Sequence, residues 1–201
     1  KDNLSDIALW KAWNAEDAEI FWEHPTLGRG RPGWHIECSV ANSLAFKHTP
    51  TDIHTGGIDL LFPHHTNEIA QSQPFYTPFT KKWHHTEHLL VDGKKMAKRD
   101  HNFYTMQDIL SKGYDGLALR YYYFQASYHA QQNFTWEGLD AATQSYKNLV
   151  ERLVVLLKEE PAKDEAQTES NYMTRFTEAV ADDSNMPQAL AVTWELMKDA
   201  A

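Results

Sequence analysis

The stretch "DIHTGGIDLLFPHHTNEIAQSQ", residues 52–73, contains a change from strand to helix. Its first residues, 52–54, predict a short strand that ends at the sequence Thr-Gly-Gly, residues 55–57. An apolar run follows, and Pro63 stands where the first turn of a helix tolerates proline. Apolar spacing then predicts a helix over residues 64–76. Because α/β sheets bind ligands beyond the carboxyl ends of their strands, the polar residues at this junction are candidates for a site.

Two of these polar residues, His64 and Glu68, are four positions apart, so a helix places them on one face. Imidazole and carboxylate groups both bind zinc, and the thiolate of Cys38 would favour zinc over magnesium or calcium. The same spacing is common in helices that bind no metal, so a surface His–Glu pair and an ordinary buried cysteine remain an alternative at this point. Eleven histidines, nine of them between His24 and His88, indicate one polar centre in the first half of the chain.

The overall composition predicts a globular protein of one ordinary domain or two small ones. The chain has 201 residues, 42% apolar content and a net charge of −9, which argues against a generally basic surface for nucleic acid. No apolar run reaches the roughly 18 residues of a membrane span, so we expect no membrane partner. The single cysteine excludes an internal disulfide, and the first residues lack a signal-peptide pattern, so we expect a cytoplasmic protein.

The patterns of the remaining segments change along the chain. Residues 34–46 have helical spacing, 83–91 predict a strand, and the glycine- and proline-rich 24–33 predicts a loop. Thr105 is the expected cap of a helix that begins near Met106. Helical patterns then dominate, at 116–127, 136–159, 171–181 and 187–201, with a polar connector at 159–170.

These patterns divide the chain into an α/β part, residues 1–104, and a helical part, residues 105–201. The sequence begins without a strand that would start an α/β sheet, and it ends within a helical pattern. We therefore expect both parts to be incomplete.

A second candidate for chemistry is the basic segment "GKKMAKR", residues 93–99. Lys95 and Lys98 lie three positions apart on a loop that starts with glycine after a strand. Such a loop can neutralise phosphate charge as it develops during nucleotidyl transfer. Viewed alone, the segment is more typical of a basic surface turn.

Several ordered blocks together resemble the cysteinyl-tRNA synthetases, a class I family. They are "GRPGWHIECSVA", "DIHTGGIDLLFPHHTNEIAQS" and "KKMAKR…NFYT", followed by "ALRYYYFQASY" and "MPQALAVTWEL". The resemblance covers nearly the whole chain. It implies the second half of a class I Rossmann-like catalytic domain followed by an α-helical region. It also implies ATP-dependent activation of cysteine and its transfer to cysteine tRNA, with Mg²⁺ accompanying the ATP and a monomeric full-length enzyme.

The resemblance also implies roles for particular residues. Cys38, His64 and Glu68 match three of the four ligands of a zinc ion that binds the substrate's thiolate, and the fourth is a cysteine of the amino-terminal half. Lys95 and Lys98 match the lysines of the KMSKS loop, which bind ATP and act in catalysis. The other matched positions are Trp34, His35 and His54 on the cysteine side and Asp59 and His85 on the ATP side.

Several positions depart from the family pattern, and they leave alternatives open. Ala97 and Arg99 replace the two serines of the family loop, and Glu87 stands where glycine normally lets adenine approach the backbone. Metal binding is therefore better supported than adenylate formation, and we expect the 201-residue chain alone to be inactive. The alternatives are a cysteine ligase of the mycothiol-synthesis type and a non-catalytic paralogue that binds cysteine.

Overall fold

A computed structural model of the chain describes residues 6–158 and 166–199. The chain forms two compact units, Lys1–Thr86 and Glu87–Ala201. The sequence patterns predicted a division at 104/105, where helices begin to dominate. The compact units instead divide before β6 (Leu89–Val91), because this strand pairs in parallel with β8 (Gln132–Phe134) of the later part.

The first unit opens with a three-stranded antiparallel sheet in the order β1-β3-β2. Its strands are β1 (Trp10–Ala12), β2 (Trp22–His24) and β3 (Gly28–Pro32). The prediction of a loop at 24–33 was wrong over β3, although the residues before Gly28 do form the connecting turn. Gly30 fits β3 for a steric reason: a Cβ atom there would lie 2.3 Å from the carbonyl oxygen of Lys11. Glycine here marks close strand packing, whereas the composition alone indicated a loop.

Two parallel strands and two helices follow in the same unit. The strands are β4 (Thr51–Gly57) and β5 (Thr80–Thr86), and the helices are α1 (Ile36–Phe46) and α2 (Thr66–Ser72). The predicted strand at 52–54 is confirmed, but it does not end at Thr55, since pairing continues to Gly57 opposite Thr86. Short irregular helical turns over Ile58–Leu60 and Leu61–His65 connect β4 to α2.

The second unit contains a sheet in the order β7-β6-β8, with β7 at Lys94–Lys95. The strand predicted at 83–91 proved to be two strands of different sheets, since β5 ends at Thr86 and β6 begins at Leu89. Asp92 and Gly93 join β6 to β7 with φ values of 49° and 73°. Positive φ at both positions is the geometry of a tight hairpin turn, which explains the Asp-Gly sequence.

Five helices complete this unit, and their bounds agree closely with the helical patterns. They are α3 (Met106–Ser111), α4 (Gly116–Phe124), α5 (Trp136–Leu156), α6 (Ala166–Ala181) and α7 (Met186–Asp199). The predicted cap Thr105 is confirmed, since its side chain accepts from the amide of Asp108. The predicted connector at 159–170 falls partly on 159–165, outside the described residues, and α6 already begins at Ala166.

The main apolar core of the described residues belongs to the second unit. Its buried members are Val91, Ile109, Leu119, Tyr121, Tyr122, Phe134, Leu139, Ala142, Leu149 and Met197. Among the helices of the described residues, none is long and apolar enough to cross a membrane.

Candidate metal centre

The carboxyl ends of β4 and β5 form the base of the candidate site. The parallel register places His54 beside Trp83 and Gly56 beside His85. Because side chains alternate along a strand, these four residues share one face of the sheet. The ring centroids of His54 and Trp83 are 4.7 Å apart.

Cys38, His64 and Glu68 converge above this base. Cys38 lies in the first turn of α1, His64 in the irregular turn after β4, and Glu68 in the first turn of α2. Their ligand atoms all lie within 4.8 Å of one another. The predicted set of three ligands is therefore brought together, although the metal itself stays a prediction.

The surroundings of Glu68 fit a cation. Its side chain is fully buried, and among the described residues neither carboxylate oxygen has a hydrogen-bond partner. The nearest imidazole nitrogens, Nε2 of His54 at 3.3 Å and Nε2 of His64 at 3.8 Å, lie within ion-pair distance without hydrogen-bond geometry. Burying a carboxylate without such a partner costs on the order of several kcal/mol, and a bound cation would offset this cost.

The ionisation of the neighbouring groups is consistent with this fit. Cys38 is exposed, and partial desolvation raises the pKa of its thiol, with a further increase from the nearby carboxylates of Glu68 and Glu37. Burial also lowers the pKa of His35, with a further effect from the nearby His64. A divalent cation would favour the thiolate and the carboxylate together, and it binds imidazole in its neutral form.

A second set of three ligand atoms, from His54, His65 and Glu68, also lies within 4.8 Å. It shares Glu68 with the first set, so both describe one centre. His65 is occupied on its other side, where its Nδ1 lies 2.7 Å from Nε2 of His85. The set with Cys38 is the better zinc site because it alone contains a sulfur ligand.

The placement of His65 depends on Gly56. A Cβ atom on residue 56 would lie 2.6 Å from Cε1 and 3.0 Å from Nε2 of the His65 ring. These distances are too short, so the ring fits only because residue 56 is glycine. Burial, together with the neighbouring His54, lowers the pKa of His65 to about 4. The pKa of His85 is lowered by burial and by the nearby His54 and His84. The base of the centre is thus a layer of aromatic rings, and burial disfavours the charged forms of His65 and His85.

Trp34 and His35 form the side of the centre. Their rings stack with centroids 4.8 Å apart, and Trp34 is 64% exposed, whereas His35 is buried. The Nδ1 atoms of His35 and His64 lie 2.5 Å apart, which leaves Nε2 of His64 facing Glu68. A cleft of about 470 Å³ adjoins this side, lined by Trp34, His35, Phe62, Pro63 and residues of the first segment and α2.

Asp59 and His85, the residues predicted on the ATP side, belong to the same unit. Asp59 follows β4 within the turn Ile58–Leu60, and its Oδ1 atom lies 2.5 Å from where a Cβ atom on Gly57 would stand. His85 lies on β5 and contacts His65, so it belongs to the base of the centre. Their contact with ATP remains a prediction.

Lys95 and Lys98 belong to the second unit. Lys95 is in β7, and Lys98 begins a short helical turn over Lys98–Asp100. Both side chains are exposed, and Nζ of Lys98 lies 5.4 Å from the ring centroid of Phe103. Between them Met96 packs against the apolar core, so the loop is anchored at its centre.

Comparison with known proteins decides the family. Residues 1–144 match the family described as "tRNA synthetases class I (C) catalytic domain". This chain belongs to the class I (C) tRNA synthetase family. Relatives include cysteine–tRNA ligases of Chlamydia caviae, 44% identical over 204 residues, and of Brachyspira hyodysenteriae, 41% identical over 206 residues. These alignments cover 98% of this chain but 42% and 43% of the two relatives, so the chain spans less than half of their length.

A solved structure agrees with the family fold. It is the ternary complex LeuRS–tRNA–LeuAMS of Agrobacterium radiobacter K84 agnB2, with a TM-score of 0.66. The similarity covers 94% of this chain and 31% of that chain at 15% identity. At this identity the likeness concerns the fold alone, and it confirms the predicted class I catalytic-domain fold.

Three residues of the centre were not among the predicted site residues: Gly56, His65 and Trp83. The signal for Trp83 was the spacing "WHH", since residues 83 and 85 share a strand face. Gly56 could be found only with the fold, because the ring that needs its space belongs to His65 after the intervening turn.

Proposed function

We propose that the chain forms part of a cysteine–tRNA ligase that activates cysteine with ATP and transfers it to cysteine tRNA. The observation that carries this proposal is the convergence of Cys38, His64 and Glu68 within 4.8 Å around a carboxylate without a hydrogen bond. The relatives named cysteine–tRNA ligase support the reaction, since they match this chain over 98% of its length.

Cys38, His64 and Glu68 would hold the zinc ion. When bound, zinc supplies a soft cation that prefers the thiolate of cysteine to the hydroxyl of serine. Trp34 and His35 border the adjoining cleft, where they would exclude water from the substrate and orient it. Binding of the substrate's sulfur to the metal would discriminate between cysteine and serine more strongly than an apolar pocket discriminates between small apolar side chains. This site therefore needs no editing step.

The two lysines of the second unit would act on ATP. In activation, a carboxylate oxygen of cysteine attacks the α-phosphorus, the α–β phosphoanhydride bond breaks, and pyrophosphate leaves with the bonding electrons. Lys95 and Lys98 would neutralise the charge that grows on the leaving phosphates. In transfer, a ribose hydroxyl at the end of the tRNA attacks the carbonyl carbon, and AMP leaves.

A cysteine-binding protein without activation is the second candidate. Its support is the conformation of Glu87. The side-chain Oε2 of Glu87 accepts a hydrogen bond from the backbone amide of His88 at 3.3 Å, and the backbone amide of Glu87 donates to the carbonyl of Tyr128 at 2.8 Å. The side chain thus occupies the position at which the family pattern has glycine. Ala97 and Arg99 favour the same candidate, because they replace the loop serines.

Cysteine-dependent exchange of pyrophosphate into ATP, measured on the full-length protein, tests the proposal. We expect exchange with cysteine and none with serine. Replacing Lys98 by alanine should lower the exchange kcat by roughly 10²-fold, as loss of one electrostatic contact to the transition state does.

Lys94→Ala is the matched control, because Lys94 is an exposed neighbour in β7 with no predicted role. Its kcat should stay close to wild type. Equal losses in the two variants would contradict the role of Lys98. A wild type that binds cysteine but catalyses no exchange would support the second candidate.

A further inference from the structure

The shape of the basic loop depends on a residue outside it, Asn102. The Asn102 side chain accepts from the backbone amide of Ala97 at 2.9 Å through Oδ1. Its Nδ2 donates to the backbone carbonyl of Lys95 at 3.1 Å. One side-chain amide thus holds the backbone on both sides of Met96.

This double contact requires an amide side chain. Asparagine offers an acceptor and a donor in one rigid plane, and aspartate, once ionised, offers acceptors only. The short turn Lys98–Asp100 returns the chain from the loop to Asn102, which makes the pairing possible. The side chain at position 102 therefore matches one donor and one acceptor of the loop backbone at the same time.

Asn102 is itself held in place by its neighbours in the chain. Tyr104, two positions later, packs with ring centroids 4.9 Å from Trp136 and 5.8 Å from Phe134. Thr105 then caps α3. The side chain of Asn102 therefore connects the basic loop to the fixed core of the second unit.

We propose that Asn102 is the positioning residue of the basic loop, holding residues 95–97 in the one shape that presents Lys95 and Lys98 together to the phosphates of ATP. The benefit is entropic, because a loop fixed before binding loses less freedom when the phosphates arrive. The functional part of this inference rests on the proposed function, whereas the structural part does not.

Limited proteolysis and amide hydrogen exchange on the full-length protein test the structural part. Trypsin cleaves after lysine and arginine, so Lys95, Lys98 and Arg99 report opening of the loop. In Asn102→Ala we expect cleavage there, and exchange of the Ala97 amide, to rise about tenfold, since two hydrogen bonds of ordinary net strength are lost. Asn102→Asp keeps an acceptor for Ala97 and should give an intermediate increase.

Asp115→Ala is the matched control for general destabilisation. It removes the side-chain cap of α4, in the same unit, without touching the loop. Cleavage of the loop in Asp115→Ala should equal that of wild type, even where its loss of thermal stability is comparable to that of Asn102→Ala. Asn102→Ala with wild-type cleavage and wild-type exchange would overturn the inference.

Kinetics of pyrophosphate exchange test the functional part. When a smaller fraction of the molecules has the loop in its binding-competent shape, the apparent affinity for ATP falls in proportion to that fraction. Asn102→Ala should therefore raise KM for ATP roughly three- to tenfold with kcat little changed, the opposite of Lys98→Ala. An unchanged KM in a variant whose loop is cleaved faster would overturn the positioning role. A wild type without exchange would refute the proposed function, while proteolysis and amide exchange would still decide whether Asn102 fixes the loop.

Discussion

Glu68 and Gly56 show at the residue scale how the centre is built. Glu68 is a carboxylate that the fold buries completely, among imidazoles that offer it no hydrogen bond with correct geometry. Such a residue is costly in a protein that holds no cation nearby. Gly56 has the opposite role, since its missing side chain is the space that the His65 ring fills.

A methyl group at residue 56 should disturb the centre. Gly56→Ala places a Cβ atom 2.6 Å from Cε1 of the buried His65 ring and 3.0 Å from Cδ1 of Leu60. We expect a loss of about 1–3 kcal/mol in the free energy of unfolding, as in other overpacked sites, together with weaker zinc binding. Urea unfolding and zinc titration measure the two effects.

Gly57→Ala is the control, because its Cβ atom would meet the terminal carboxylate of the exposed Asp59, at 2.5 Å, and not a buried ring. It should cost clearly less stability than Gly56→Ala. If the order of the two variants is reversed, the steric account of Gly56 is wrong.

Individual ligands could be predicted from sequence only where they are close in the chain. The spacing of His64 and Glu68 predicted that they share one helix face, and their ligand atoms do lie together, although His64 precedes α2 in the irregular turn Leu61–His65. Cys38 was proposed for the chemistry of its thiolate and was then matched by the resemblance, because no local spacing links it to the other ligands and its approach depends on the packing of α1 against α2. Asn102 gave no signal, since its partners are backbone groups of a loop that the sequence does not show to be bent.

At the scale of elements, helices were predicted well and strands poorly. Local signals define the helices: Thr105, Asp115 and Thr135 each cap the helix that follows. Strands depend on partners elsewhere, so β3 was taken for a loop and β5 and β6 for one strand. The apolar and aromatic run from Trp83 to Val91 does not reveal that its two halves pair with different neighbours.

A contact between two connecting turns provides a pH-dependent test of the second unit. The hydroxyl of Tyr128 donates to Oδ1 of Asp183 at 2.6 Å, and Nε2 of His129 lies 2.7 Å from Oδ2 of the same carboxylate. The hydrogen bond to the Asp183 carboxylate raises the pKa of Tyr128 to about 12. The folded-state value is above that of the unfolded chain, so this stabilisation is present below pH ~10 and is lost as pH rises toward about 12.

Asp183→Asn should lower the pKa of Tyr128 toward about 10, because the amide does not repel the phenolate. NMR titration of tyrosine labelled at Cζ measures this pKa, with Tyr128→Phe for assignment. Asp140→Asn is the matched control, since Asp140 accepts from the hydroxyl of Tyr114 at 2.7 Å. An unchanged Tyr128 pKa in Asp183→Asn, or an equal shift in Asp140→Asn, would contradict the contact.

At the scale of the whole molecule, the two units differ in what they bury. Among the buried apolar side chains of the described residues, Phe79 alone belongs to the first unit, and the others lie from Val91 onward. The first unit buries mainly polar groups, including Ser39, Thr51 and Glu68. Apolar burial is the main source of folding free energy, so the first unit depends more on its ligands.

We therefore expect unequal protection against hydrogen exchange in the metal-free 201-residue chain. Amides of β4 and β5 should exchange faster than those of α4 and α5, because exchange follows the local free energy of opening. Added zinc should slow exchange in the first unit and leave the second unit unchanged. Equal strong protection in both units before zinc is added would contradict this account of the molecule.

The zinc content of the full-length protein tests the central claim most directly. Metal analysis by mass spectrometry, after removal of loosely bound ions, should find about one zinc per chain in the wild type. Cys38→Ser and Glu68→Gln should each lose most of it, whereas His48→Ala, which changes an exposed histidine of the same unit, should retain it. Equal zinc in all four proteins, or none in the wild type, would contradict the assignment of Cys38, His64 and Glu68 as zinc ligands.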